Sequence, residues 1–152
     1  MSDSAAPDPF SALDSMLCFD VYGVNLAFGR IYKPLLDPLG LTYPQFLVMM
    51  TLWTDDSLSV GGIGDKLGLD SSTLTPLIKR LELASLVTRQ RDSRDERRVI
   101  VSLTEKGRAL QDKSGHVQTC ATGATGLTMA QIADLSSRLR KLRESLRRSA
   151  RD

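Results

Sequence analysis

The sequence predicts a mainly helical chain with one small β-hairpin set past its middle. Three observations predict it. Apolar residues recur at alternating spacings of 3 and 4 near both ends: Leu17, Val21, Val24, Phe28, Ile31 and Leu35, then Ile132, Leu135, Leu139, Leu142 and Leu146. Hydroxyl and carboxylate residues suited to helix N-caps stand before the apolar runs. Two strand-like runs, LVTRQR (86–91) and VIVSL (99–103), flank a charged link.

Length and composition fit that class. The chain has 152 residues, 25% of them charged and 41% hydrophobic, which predicts one soluble domain spanning 1–152. A chain of this size buries roughly 68–70% of its unfolded surface, so no disulfide or metal staple is needed. No apolar run approaches the ~20 residues of a membrane span. Residues 1–29 hold Asp3, Asp8, Asp14 and Asp20 and no Lys or Arg, the reverse of a secretory leader. The expected compartment is the cytoplasm, where Cys18 and Cys120 are redox-active or inert thiols rather than a permanent bridge.

The elements follow in order. A first helix is expected over 11–36, ended or kinked by Pro34 and Pro38. Thr42 and Gln45 form a capping box, and Leu41 with Phe46 a hydrophobic staple, for a helix with the body FLVMMTLW. Ser59 caps a short helix rich in glycine. Asp70 caps the next, SSTLTPLIKRLELA, where Pro76 cannot bond back to the Ser72 carbonyl and predicts a bend. In the hairpin, Val99, Val101 and Leu103 share one apolar face, and 92–98 is its exposed tip. Thr104 opens a helix expected to fade near Gly115. Residues 115–126 read as a loose Gly-rich segment. Thr128 and Gln131 make a second capping box for a last helix over 128–150.

Residues 59–103 are thus a helix-turn-helix followed by a two-stranded wing. Charge points the same way. Residues 89–98 carry five Arg against three acids, whereas all eight aromatics lie between Phe10 and Trp53. Single-strand binding needs aromatics beside the basic groove, so that class is disfavoured and duplex contact stays open. Ser71, Ser72, Thr73 and Thr75 on the first turns, with Lys79 and Arg80 beyond, suit a major groove. Arg89 and Arg94 on the ribbon are also expected to contact DNA, and Arg94 at its tip suits a minor groove. Asp92 and Arg97 are expected to pair across the wing and brace it. A solvated basic face is the plainer account of each run alone. The terminal stripes cannot bury themselves, so a two-fold pairing of helices 11–36 and 128–150 and an operator with two half-sites are expected.

The segment Asp92-x-Arg94-x-x-Arg97 with VIVSLTEKGRAL (99–110) resembles the MarR family of dimeric winged-helix regulators. LCFDVYGVNLAFGRIYKPLL (17–36), LTYPQFLVMMTLW (41–53) and LDSSTLTPLIKRLELASLVTR (69–89) look like the organic hydroperoxide resistance regulators within it. The resemblance covers about residues 15–148 and implies a repressor of the two-Cys class, with organic hydroperoxide as inducer and duplex DNA as partner. It implies that Cys18 is the sensing thiol, that Tyr32 and Tyr43 hydrogen-bond it from the partner subunit, and that Cys120 resolves the oxidised sulfur across the dimer.

The residues themselves set conditions on that chemistry. With a helix start near Ser11, Cys18 lies two turns in, beyond useful reach of the helix dipole. Asp14, one turn back, opposes a thiolate, and no Lys, Arg or His is near in sequence. Tyrosine hydroxyls are a remaining source of stabilisation. Tyr22, four residues on, reaches the sulfur within one chain. Tyr32 lies about 21 Å along the same helix at 1.5 Å per residue, so if it serves Cys18 the site is intersubunit. A small buried hydrophobe for Cys18 and core packing for the tyrosines fit the residues as well.

Other functions are less well served. Cys18, His116 and Cys120 fall short of a four-ligand zinc site, so no metal is expected. No phosphate loop, dinucleotide fingerprint or Ser/His/Asp set appears, which leaves no cofactor and no enzyme class. A thiol peroxidase needs an activating cation that the sequence lacks. A regulator that binds a small aromatic ligand in the dimer cleft, with Cys18 incidental, is the alternative.

Overall fold

The computed structural model describes residues 16–151. These form six α-helices, one 3-10 helix (Asp37–Leu39) and three strands: α1 Leu17–Leu36, α2 Tyr43–Thr54, β1 Leu58–Ser59, α3 Val60–Leu67, α4 Ser71–Leu83, β2 Val87–Arg91, β3 Val99–Leu103, α5 Glu105–Ala124 and α6 Met129–Ser149. They divide into two compact units, one up to Val117 and one from Gln118 onward. Among the described residues no helix is long and apolar enough to cross a membrane.

The predicted caps form. The Thr42 and Gln45 box closes in both directions, as does that of Thr128 and Gln131. Ser59 accepts from Gly62 N–H, and Asp70 accepts from Thr73 N–H. Each satisfies donors that a helix start leaves unpaired.

The first unit has one core. Phe46, Val48, Met49 and Leu52 of α2 meet Ile63 of α3 and Leu74, Leu77, Ile78 and Leu81 of α4. The sheet adds Val87, Val101 and Leu103, and α5 adds Val117. The wing hairpin is antiparallel, with Val87 opposite Leu103 and Arg91 opposite Val99. A third strand, β1, pairs with β3 through Leu58–Val101 and Ser59–Ile100, giving the order β1-β3-β2. Two residues carry no alternation to read, so only this pairing reveals β1.

Two glycines allow close approach in the first unit. A Cβ on Gly107 would lie 2.1 Å from the Leu86 carbonyl oxygen, and one on Gly64 2.5 Å from that of Leu69. Gly107 lets the start of α5 press on the α4–β2 turn; its carbonyl accepts the Trp53 indole N–H at 2.9 Å. Asp56 ties the other edge, accepting from Leu103 N–H at 2.9 Å, Ser57 N–H at 2.7 Å and Arg108 at 3.1 Å.

Two expectations are corrected here. α1 begins at Leu17 after an extended Met16, so Cys18 is in the first turn rather than two turns in. The expected start near Ser11, with Asp14, lies outside the described residues. α5 does not fade at Gly115 but continues to Ala124. Ser114, Val117 and Ala121 on that stretch are buried at helical spacing. Burial overrides the weak propensity of its glycines, each about 0.5–1 kcal/mol below Ala.

In the second unit, α6 has no buried residue. Leu135, Leu139 and Leu146 stay exposed on it, and the pairs Arg138–Asp134 and Arg148–Glu144 sit on its surface.

Candidate redox site and nucleic-acid interface

Cys18 and Cys120 are both exposed free thiols, so neither is a buried core residue. Cys18 sits on the first turn of α1, at the positive end of the helix dipole rather than beyond its reach. Tyr22, one turn on, is 61% exposed. Cys120 lies on α5 rather than in a loose loop.

The structure joins two of the three predicted tyrosines. Tyr32 near the end of α1 and Tyr43 at the start of α2 have ring centroids 4.6 Å apart. Phe46 supports Tyr32 from the core at 6.2 Å, and Trp53 packs edge-on to Phe46. Burial, and then the Tyr43 neighbour, push the Tyr32 phenol above its ordinary value; burial does the same for Tyr43. Both therefore stay protonated at neutral pH and can donate a hydrogen bond. They line a cavity of about 400 Å³ with Asn25, Leu26, Phe28 and Gly29.

α4 has two faces. Leu74, Leu77, Ile78 and Leu81 are buried, while Ser71, Ser72, Thr73, Pro76, Lys79 and Arg80 are exposed and Thr75 is half-buried. The Ser72 hydroxyl donates to Asp70 Oδ1 at 2.8 Å. With the Thr73 N–H, it holds the Asp70 carboxyl below its usual range. The N-cap is thereby fixed at the end of the helix that carries the hydroxyls.

The wing corrects two assignments. Asp92 does not pair with Arg97. Its carboxylate accepts from Arg94 N–H at 2.9 Å and pairs with Arg98 at 3.7 Å, and Asp92 N–H closes on the Arg98 carbonyl. Arg97 turns to Asp95 at 3.2 Å with its side chain 92% exposed. The seven-residue tip places Arg98, rather than Arg97, directly across from Asp92. Arg91 donates to the Glu96 carbonyl, a further brace. Arg94 is exposed, and among the described residues no acid pairs with its side chain.

Arg89 is the second correction. Its guanidinium pairs with Glu82 at 3.0 Å while its backbone N–H donates to the other Glu82 oxygen. Arg89 Nε is buried without a partner. The guanidinium bond holds the Glu82 carboxyl below its usual value. Arg89 thus latches α4 to the wing instead of standing free for a phosphate. Glu82, Arg98 and Asp56 were missed by sequence reasoning. Opposite charges flanking the α4–β2 turn were the available signal for Glu82; Asp56 acts over 47 residues and left none.

The chain is similar to known transcriptional regulators. The family model of the transcriptional regulator SarA/Rot matches residues 30–114. The HTH-type transcriptional regulator TtmR of Methylorubrum extorquens is 48% identical over 146 residues, 96% of this chain and 74% of that one. The organic hydroperoxide resistance transcriptional regulator of Bacillus subtilis is 41% identical over 134 residues, 88% and 91% of the two chains. Reduced AbfR bound to DNA is 34% identical with a TM-score of 0.74, covering 88% of this chain and 93% of that one. Disulfide-formed AbfR is 34% identical with a TM-score of 0.64, covering 86% and 91%. The family and these relatives are transcription regulators, not enzymes. By fold, wing and these matches, the chain belongs to the MarR/SarA winged-helix family of transcriptional regulators.

Proposed function

We propose that the chain is a cytoplasmic, homodimeric repressor that holds a pseudo-palindromic operator when reduced and releases it when an organic hydroperoxide oxidises Cys18. One observation carries this reading. Cys18 occupies the first turn of α1, while Tyr32 stands against Tyr43 near its other end. At 1.5 Å per residue the thiol and the phenols of one chain are about 21 Å apart along α1. Two copies of α1 passing antiparallel around a two-fold axis bring each thiol to the other chain's phenols. The exposed apolar residues of α1 and α6 support such a pairing. The hydroperoxide relative, and AbfR solved both reduced on DNA and as a disulfide, support the redox part.

The thiolate of Cys18 attacks the outer peroxide oxygen, the O–O bond breaks, and an alcohol leaves once the alkoxide takes a proton. The product is a sulfenic acid. The Cys120 thiol, from the other subunit, attacks that sulfur, forms a disulfide and expels water. Its Cα must come within about 7 Å of that of Cys18, so the helices carrying the two sulfurs must shift, and the half-site spacing shifts with them. In the reduced dimer Ser71, Ser72, Thr73, Thr75, Lys79 and Arg80 face the major groove, and Arg94 enters the minor groove.

Operator binding followed by fluorescence anisotropy tests this. One equivalent of cumene hydroperoxide should release the wild type, and dithiothreitol should restore binding. Cys18→Ser should bind and ignore the oxidant; release of that variant by peroxide would overturn the reading. The cavity beside Phe28, Tyr32 and Tyr43 favours a second reading, a small aromatic ligand as inducer. Release of Cys18→Ser by an aromatic acid, with no peroxide response in the wild type, would select it.

A further inference from the structure

We infer that Pro76 reads a base, its ring meeting the C5-methyl group of a thymine in the major groove. The inference rests on α4 being the helix that enters that groove. Pro76 lies inside α4, past its first turn, and is exposed. An interior proline removes a backbone donor and crowds the carbonyl four residues back, here that of Ser72. In a core, packing can offset that penalty. Here the packing is done by Leu74, Leu77, Ile78 and Leu81, and Pro76 is on the opposite side. At 3.6 residues per turn, Ser72, Pro76 and Lys79 fall within about 60° of one another, with Thr73 and Arg80 to one side.

The outer face therefore presents an apolar ring between a hydroxyl and a cation. Ser72 donates its proton to Asp70, leaving lone pairs that accept from a base amino group. Lys79 and Arg80 suit guanine edges and phosphates. Among the bases only thymine offers a methyl group in the major groove, and an apolar side chain is its complement. N-terminal residues of a recognition helix meet base edges, and Pro76 is within the first two turns of α4.

Selection from a randomised duplex library, with wild type, Pro76→Ala and Lys79→Ala, tests the inference. The wild type should select thymine at one position in each half-site, and Pro76→Ala should lose that preference alone. Replacing that thymine by deoxyuridine removes only the methyl group. It should weaken wild-type binding about fourfold per half-site, the worth of one buried carbon, and leave Pro76→Ala binding unchanged. Pro76→Ala should also melt at a higher temperature, because it regains the bond to Ser72. Greater stability with relaxed sequence choice separates a reading role from a structural one. If only Lys79→Ala alters the selected sequence and deoxyuridine is tolerated, α4 reads DNA but Pro76 does not, and the inference falls. If neither variant alters it, the reading of α4 falls and takes the inference with it.

Discussion

Residues 58–103 and helix α6 spend similar apolar residues in opposite ways. In the winged segment, Ile63, Leu74, Ile78, Leu81, Val87 and Val101 are all but fully buried. Its polar groups are also committed, Ser59 and Asp70 to caps and Glu82 to Arg89. In α6, Leu135, Leu139 and Leu146 remain open and nothing is buried. A helix with a leucine stripe is held by what that stripe packs against, not by propensity. The winged segment buries its apolar residues within one chain, whereas α6 leaves its stripe open for the two-fold pairing proposed above.

Substitutions can break or sharpen that contrast. The largest effect is expected at the proposed interface. Leu139→Asp should convert dimer to monomer by sedimentation and abolish operator binding, because each lost leucine removes about 1.5–3 kcal/mol and two-fold symmetry counts it twice. A variant that stayed dimeric would remove α6 from the interface. Gly107→Ala strikes the closed half instead. Its methyl group meets the Leu86 carbonyl, and chemical denaturation should show a loss of about 3 kcal/mol. Gly61→Ala is the control, since nothing lies within 4 Å of a Cβ there. It should stabilise by about 0.5–1 kcal/mol, so that the two glycines move in opposite directions.

The smallest effect is a pH dependence. Partial burial raises the Asp56 carboxyl, but the N–H groups of Leu103 and Ser57 and the Arg108 guanidinium outweigh it and leave the value low. A carboxyl held low when folded adds stability above the ordinary value near 3.9, and that stability is lost as pH falls through the folded value. Melting curves between pH 7 and pH 3 should therefore fall less steeply for Asp56→Asn than for the wild type. Parallel curves would mean that Asp56 does not anchor β3.

What was legible in the sequence was local. Four N-caps and the presence of the hairpin are set by residues within a few positions of one another, where spacing alone decides which atoms meet. The end of α5 was not legible, because the burial of Val117 and Ala121 outweighs the weak propensity around Gly115 and Gly123. Pairings within the wing tip were half legible. Asp92 was expected to pair with Arg97, but a seven-residue tip has several ways to close, and the one adopted sets Arg98 rather than Arg97 opposite it. Arg89 reads as a groove contact because the sequence does not reveal that Glu82 lies beside it. Around Cys18 the start of α1 was not legible: a helix expected from near Ser11 begins at Leu17, which puts Cys18 on the first turn, within reach of the helix dipole.

Non-reducing electrophoresis after one equivalent of cumene hydroperoxide tests the two-copy site most directly. The wild type should run as a disulfide-linked dimer that dithiothreitol returns to monomer, and neither Cys18→Ser nor Cys120→Ser should form that band. An oxidised wild type that runs entirely as monomer while releasing its operator would contradict a site shared between two chains.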